Sequence, residues 1–199
     1  MNARVESHFD EAELRKWVRG FVEKRCNRDL VREWDAARDF PTSLYKDMAD
    51  MGWLGLMIPQ EYGGSGGGVL ETMVIYEELA RYSVDIPTRL ALTLWGQLNV
   101  LNFGTEQQRR DLLPRTVDGS LPLSFSMTEP SAGSDAASLK TRAVEVSDGY
   151  VINGQKVFSS GAHMLGNTMV VAVRTGTVGD RHAGISLLST SRSTPYSVT

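Results

Sequence analysis

"VDGSLPLSFSM", residues 117–127, is where the chain changes period. Upstream, apolar residues recur every three to four positions, as on the buried face of a helix; downstream they alternate, as on one face of a strand. Reading outward from that switch gives an all-α domain at 1–118 and a β domain at 119–199. The fold class expected is α+β, a helical bundle followed by an antiparallel β-sandwich or barrel.

On the helical side, Asp10 with Glu13 three places later starts an amphipathic helix carrying Leu14, Trp17, Val18, Phe21 and Val22. Pro41 opens a second, with Leu44, Met48 and Met51 on one face and Gly52 placed to stop it. "VLETMVIYEELARY" is a third. Pro87 to Phe103 is a fourth, so apolar on all sides that it is expected inside the others. Gly104 ends it, and "TEQQ" (105–108) has the form of a capping box for a fifth helix running to Pro114. On the other side, "LPLSFSM", "TRAVEV", "YVI", "QKVFSS", "TMVVAVRT" and "AGISLLS" read as short strands, with Asn153-Gly154 as a two-residue hairpin turn between "YVI" and "QKVFSS".

Composition excludes several classes. The 199 residues are 41% hydrophobic with a formal net charge of −3, and acids and bases are interspersed, so there is no footprint for nucleic acid or an anionic membrane. Cys26 stands alone, which removes a disulfide framework and a thiolate metal cluster and suits a reducing cytoplasm. The acidic N-terminus reads as neither secretion signal nor transit peptide, and no apolar run approaches a membrane span. A cytoplasmic location is the expectation.

Two loops invite chemistry. "YGGSGGG" (62–68) contains a literal G-x-S-x-G around Ser65, but the turn-like Pro59-Gln60-Glu61-Tyr62 precedes it where a hydrolase elbow needs a buried strand. It also lacks the Lys and spacing of a phosphate cradle. His8, His163 and His182 lack metal-ligand spacing, so no metal is expected. "SMTEPSAGSD" (126–135) is more informative. Pro130 fixes its backbone, Gly133 permits a positive φ, and Ser131, Ala132 and Ser134 keep bulk away, so backbone N–H groups and the Ser134 hydroxyl can meet an anion such as a diphosphate, with Asp135 capping "AASLK". From these residues alone a plain loop followed by a capped turn is the favoured reading.

"FGTEQQRRDLLP", "DGSLPLSFSMTEPSAGSDAASLKTRA" and "DGYVINGQKVFSSGAH" resemble, in order and spacing, the acyl-CoA dehydrogenase family, and "IPQEYGGSG" resembles its early glycine loop. The resemblance implies FAD and the removal of two hydrogens from an acyl-CoA thioester, a carboxylate taking the α-proton and the flavin the β-hydrogen, with electrons passing to an electron-transferring flavoprotein. It implies that Phe125, Met127 and Thr128 lie along the flavin ring, that Gly133 and Ser134 meet the diphosphate, and that Ser134 also borders the pantetheine arm. Phe158 takes the place of the family's ring-stacking Trp, and Ser160 that of a hydroxyl near the flavin. Leu92 and Trp95, on the helix that resembles the one lining the acyl pocket, are the substrate contacts expected.

Three residues depart from the family pattern: Phe158, Ser159 in an apolar position, and Ser126 at the head of the signature. The family's C-terminal helical domain has no counterpart in the 199 residues, so its catalytic glutamate has none either, and Glu129 is read as loop architecture. The last strands of the β domain lack counterparts too, which is expected to leave an open edge and an apolar face. A homo-oligomer, a tetramer in the family, or a complementing chain is expected. The alternatives are an acyl-CoA-dehydrogenase-like flavin oxidase or monooxygenase, and a non-catalytic subunit or remnant.

Overall fold

The computed structural model describes residues 10–162 and 166–191, so His8, His163 and the closing "STPYSVT" lie outside the described residues. The chain divides into two compact units, Met1–Ser120 and Leu121–Thr199.

The first unit is helical: α1 (Glu11–Arg25), α2 (Arg28–Ala37), α3 (Thr42–Asp50), α4 (Val69–Leu79), α5 (Asp85–Phe103) and α6 (Glu106–Val117). Asp10 accepts from the Glu13 N–H at the head of α1, and Thr105 and Gln108 form the reciprocal box at the head of α6. Gly52 ends α3 in the left-handed conformation at φ 75°. Helix α2 is absent from the sequence reading, although Asn27 caps it by accepting from the Asp29 and Leu30 N–H groups. Helix α6 runs through Pro114 to Val117 and does not stop at the proline.

The core gathers Val18 and Val22 of α1, Leu44 and Met48 of α3, Ile75 and Leu79 of α4 and Leu90 of α5 around Trp53. Helix α5 is not enclosed as expected. It buries Ile86, Leu90, Leu92, Thr93 and Gln97 but leaves Trp95 55% and Phe103 82% exposed, because its apolar residues cover the whole circumference and the core takes one side. Beneath α4, Glu78 accepts from Arg15, Arg19 and Arg81, a cluster that ties α4 to α1. Ser65 follows a 3-10 turn, Gln60–Tyr62, and has no strand before it.

Among the described residues the second unit is one sheet of five strands: β1 (Leu123–Ser126), β2 (Arg142–Val146), β3 (Gly149–Asn153), β4 (Thr168–Arg174) and β5 (Ile185–Ser191). Strand β4 is its hub. β5 pairs antiparallel along its whole length, β1 pairs parallel to its first half, and β2 joins its last residue through Arg142 and Arg174, also parallel. The sheet is therefore mixed, not antiparallel as expected; the long connection from β1 to β4 is what permits a parallel pair. Both faces of β4 are buried, Ala172 packing with Ala132 and Leu139 on one side and Val171 and Val173 with Ala143 on the other.

The hairpin is misplaced in the sequence reading. It joins β2 to β3 around Ser147-Asp148, with Val146 opposite Gly149, and Asn153-Gly154 marks the exit from β3. "QKVFSS" follows as irregular chain, not strand. At the free edge, Val144 of β2 and its partner Val151 of β3 are both exposed.

Candidate functional site

The signature stretch leaves β1 at Ser126 and turns sharply at Glu129-Pro130-Ser131-Ala132, where Glu129 and Ala132 exchange both backbone hydrogen bonds, at 3.0 and 3.2 Å. The Glu129 side chain folds beneath the turn and is 6% exposed. One oxygen accepts from the Lys140 N–H at 2.7 Å, the other from the Thr141 N–H at 2.8 Å and from Lys156 Nζ at 2.9 Å. Burial alone would raise this carboxyl, but the bonds from Thr141, Lys140 and Lys156 outweigh it and hold it at about 2.

Lys156 completes the clamp. Its ammonium also donates to the Met127 carbonyl at 2.8 Å, while the Val157 N–H donates to the Thr128 carbonyl at 2.9 Å. Burial pulls Lys156 below its ordinary pKa, with Glu129 pushing against it. Lys156 is the residue that sequence reasoning missed, since a lysine in a polar loop reads as solvated; the alternation of "QKVFSS" that suggested a strand is this inward turn of Lys156. The clamp also removes Glu129 from the candidates for a general base: both oxygens are occupied and the group is held ionised.

With the clamp below, the upper side of the loop is open. Met127 is exposed, Thr128 half-buried, and the N–H groups of Gly133, Ser134 and Asp135 find no acceptor among the described residues. Gly133 is not at positive φ, contrary to the sequence reading; a Cβ there would meet nothing within 4 Å, so the glycine leaves space above the loop and answers no backbone need. Asp135 heads the 3-10 turn Ala136–Ser138, though its carboxylate takes the Ser138 hydroxyl and not a backbone N–H.

Across from the loop, Phe158 sits at φ 58° and is 88% exposed. A bulky side chain in the left-handed region costs on the order of 1–3 kcal/mol, so the fold holds an aromatic ring outward at the expense of strain. Ser160, two residues on, is exposed, and Phe125 is half-buried in β1. Two departures from the family pattern prove to be partners: the hydroxyls of Ser126 and Ser159 are hydrogen-bonded to each other. One polar replacement supplies what the other needs.

Phe125, Met127, Thr128, Gly133, Ser134, Phe158 and Ser160 thus belong to the sheet unit. Leu92 and Trp95 belong to helix α5 of the helical unit, Leu92 buried and Trp95 exposed. Among the described residues no group of His, Cys, Asp or Glu is arranged to hold a metal ion, and His182 is exposed. No helix of the described residues is long and apolar enough to cross a membrane.

Known protein families match both parts of the chain. The acyl-CoA dehydrogenase N-terminal domain matches residues 9–120 and the acyl-CoA dehydrogenase middle domain residues 124–199. The chain belongs to the acyl-CoA dehydrogenase family, whose members are flavoprotein oxidoreductases. It is 34% identical to an acryloyl-CoA reductase (NADH) of Anaerotignum propionicum, over 92% of this chain and 46% of that protein. It is 35% identical to a subunit of the caffeyl-CoA reductase-Etf complex of Acetobacterium woodii, over 80% of this chain and 42% of that one. The crystal structure of an acyl-CoA dehydrogenase from Geobacillus kaustophilus superimposes with a TM-score of 0.83 at 33% identity, covering 98% of this chain and 50% of that one. The chain therefore spans about half the length of the relatives it matches.

Proposed function

We propose that this chain carries the flavin site of an FAD-dependent enzyme that interconverts an acyl-CoA thioester and its α,β-unsaturated counterpart, with dehydrogenation as the forward reaction. The observation that carries the reading is the clamped loop: Glu129 and Lys156 fix residues 127–132 from below, while Thr128, Gly133 and Ser134 face open space above. That arrangement fits a nucleotide cofactor. Free N–H groups at 133–135 suit a diphosphate, and an outward Phe158 ring suits a flat isoalloxazine.

FAD, when bound, would supply a two-electron acceptor for the β-hydrogen. The chain's own residues would hold and orient it: Phe125, Met127 and Thr128 along the ring, Gly133 and Ser134 at the diphosphate, Phe158 and Ser160 on the facing wall. Ser134 would also meet the pantetheine arm. On α5, Leu92 is closed into the interior, so contact with the acyl chain falls mainly to Trp95, which would limit its depth. The α-proton needs a carboxylate other than Glu129, supplied by a segment or partner outside the described residues. An electron-transferring flavoprotein is the electron partner proposed, supported by the relative that is itself a subunit of an Etf complex. The relatives named reductases support a reaction that runs either way according to the potential of that partner. A homo-oligomer or complementing chain would complete the site.

The test is FAD titration of the purified protein by flavin fluorescence, with Gly133→Val alongside. A Cβ at 133 touches nothing in the chain, so the variant should keep its thermal midpoint and lose FAD affinity. Equal affinity in both proteins, or no binding by the parent, would sink the reading. Acyl-CoA-dependent reduction of an artificial electron acceptor then checks the reaction, and rapid reoxidation by air would favour an oxidase.

A further inference from the structure

We infer that Arg174 is a positioning residue of the nucleotide loop, a buried guanidinium that fixes the turn behind residues 133–135 and so holds their N–H groups in place for a diphosphate. The inference rests on reading the loop as a nucleotide site, and it concerns a residue on the far side of the loop from any ligand.

Arg174 ends β4 and is 1% exposed. Its guanidinium reaches two separate pieces of chain. One terminal nitrogen donates to the carbonyls of Ala137 at 2.7 Å and Leu139 at 3.3 Å, in the turn directly after the signature. The other donates to the carbonyls of Thr177 at 3.3 Å and Arg181, in the loop before β5. A fork of planar donors can hold four carbonyls at once; a lysine ammonium cannot match that geometry. Space around the fork is fully used, since a Cβ on Gly184 would come within 2.9 Å of the guanidinium.

Backbone carbonyls hold the guanidinium, and the Asp180 carboxylate in the loop before β5 lies near enough to feel its charge. Among the described residues Arg174 forms no ion pair, and its Nε has no hydrogen-bond partner. Four carbonyl bonds on one planar group fix the turn it supports in place. The turn it supports is Ala136–Ser138, which follows without a break from the free N–H groups of Gly133, Ser134 and Asp135. The N–H groups of the same two peptides are taken as well, Ser138 donating to the Asp135 carbonyl at 3.0 Å and Lys140 to Glu129 at 2.7 Å, so the turn is fixed from both sides. Arg174 therefore acts on residues 133–135 through the geometry of the turn that follows them, which sets where their N–H groups stand.

The experiment separates ring from diphosphate. FAD, ADP and lumiflavin are titrated into the parent protein, Arg174→Met and Arg174→Lys. Arg174→Met should lose affinity for FAD and ADP by on the order of ten-fold or more, while lumiflavin affinity holds; Arg174→Lys, which keeps the charge without the fork, should fall between. Unchanged FAD affinity in Arg174→Met overturns the inference and leaves the flavin site standing. A parallel loss for all three ligands, or failure of both variants to fold, assigns Arg174 to general stability and overturns it too. A parent protein that binds none of the three removes the reading of the loop itself.

Discussion

Glu78 in the helical unit and Glu129 in the sheet unit are both buried, and both carboxyls are held at about 2. Their partners differ. Glu78 is lowered first by Arg19, with burial opposing and Arg15 and Arg81 assisting, and those arginine side chains are 24% to 52% exposed. Glu129 is lowered by Lys156 and by two backbone N–H groups, and those N–H groups cannot leave for water without unfolding the loop. One carboxylate staples two helices from the surface inward; the other is the centre around which a loop is built. Equal pKa values thus conceal unequal structural roles, and the difference lies in what the partners do when the carboxylate is removed.

Substitution should expose that inequality most strongly at Glu129. Glu129→Leu leaves a buried ammonium and two orphaned N–H groups, for an expected loss of about 3–5 kcal/mol in urea denaturation together with FAD binding. A loss below about 1 kcal/mol would break the comparison. Gly154→Ala reaches the same centre indirectly, because the new Cβ would lie 2.4–2.7 Å from Thr141, whose N–H serves Glu129. Overpacking of that kind should cost about 1–3 kcal/mol and weaken FAD binding in step with stability.

Glu78→Leu should cost less, about 1–2 kcal/mol, since its arginines can swing into solvent. FAD affinity should not follow that loss, and a matched drop would show that the two carboxylates are not independent. The pH dependence has one sign for both groups. Each folded pKa lies below the ordinary 4.5, so the stabilisation is fully present above about 4.5 and is lost as pH falls toward about 2. Acid titration of the urea midpoint should show this decline, shallower in Glu78→Gln than in the parent.

Legibility followed the locality of the signal. Helices α1, α3, α4, α5 and α6 announce themselves through caps and period, because both are written within a few residues. Helix α2 has the same signal in Asn27, followed by Leu30, Val31 and Trp34, and its apolar positions were simply too few to stand out. The flavin-family signature was legible as a loop of small residues, but what holds it was not. Lys156 and Arg174 act on partners 27 to 37 residues away, and nothing in their neighbours marks them as buried. The hairpin failed for a related reason: Asn153-Gly154 is a strong local turn signal, yet Gly154 is needed because Thr141 crosses too close for a side chain. The mutual bond of Ser126 and Ser159 shows the same limit, since each looked like a loss when read alone.

The parallel pairing of β1 with β4 also orders events in time. Leu123 meets Thr168 only after about 45 further residues have been made, and the closure of so long a loop is a slow, entropically costly step. The β2–β3 hairpin can form while that segment is still being synthesised, but β1 has no partner until β4 arrives. On a ribosome, the signature loop therefore emerges before Lys156 and Arg174, and its full set of supports is expected only when β4 docks. Capture of the proposed cofactor would in this sense wait for β4.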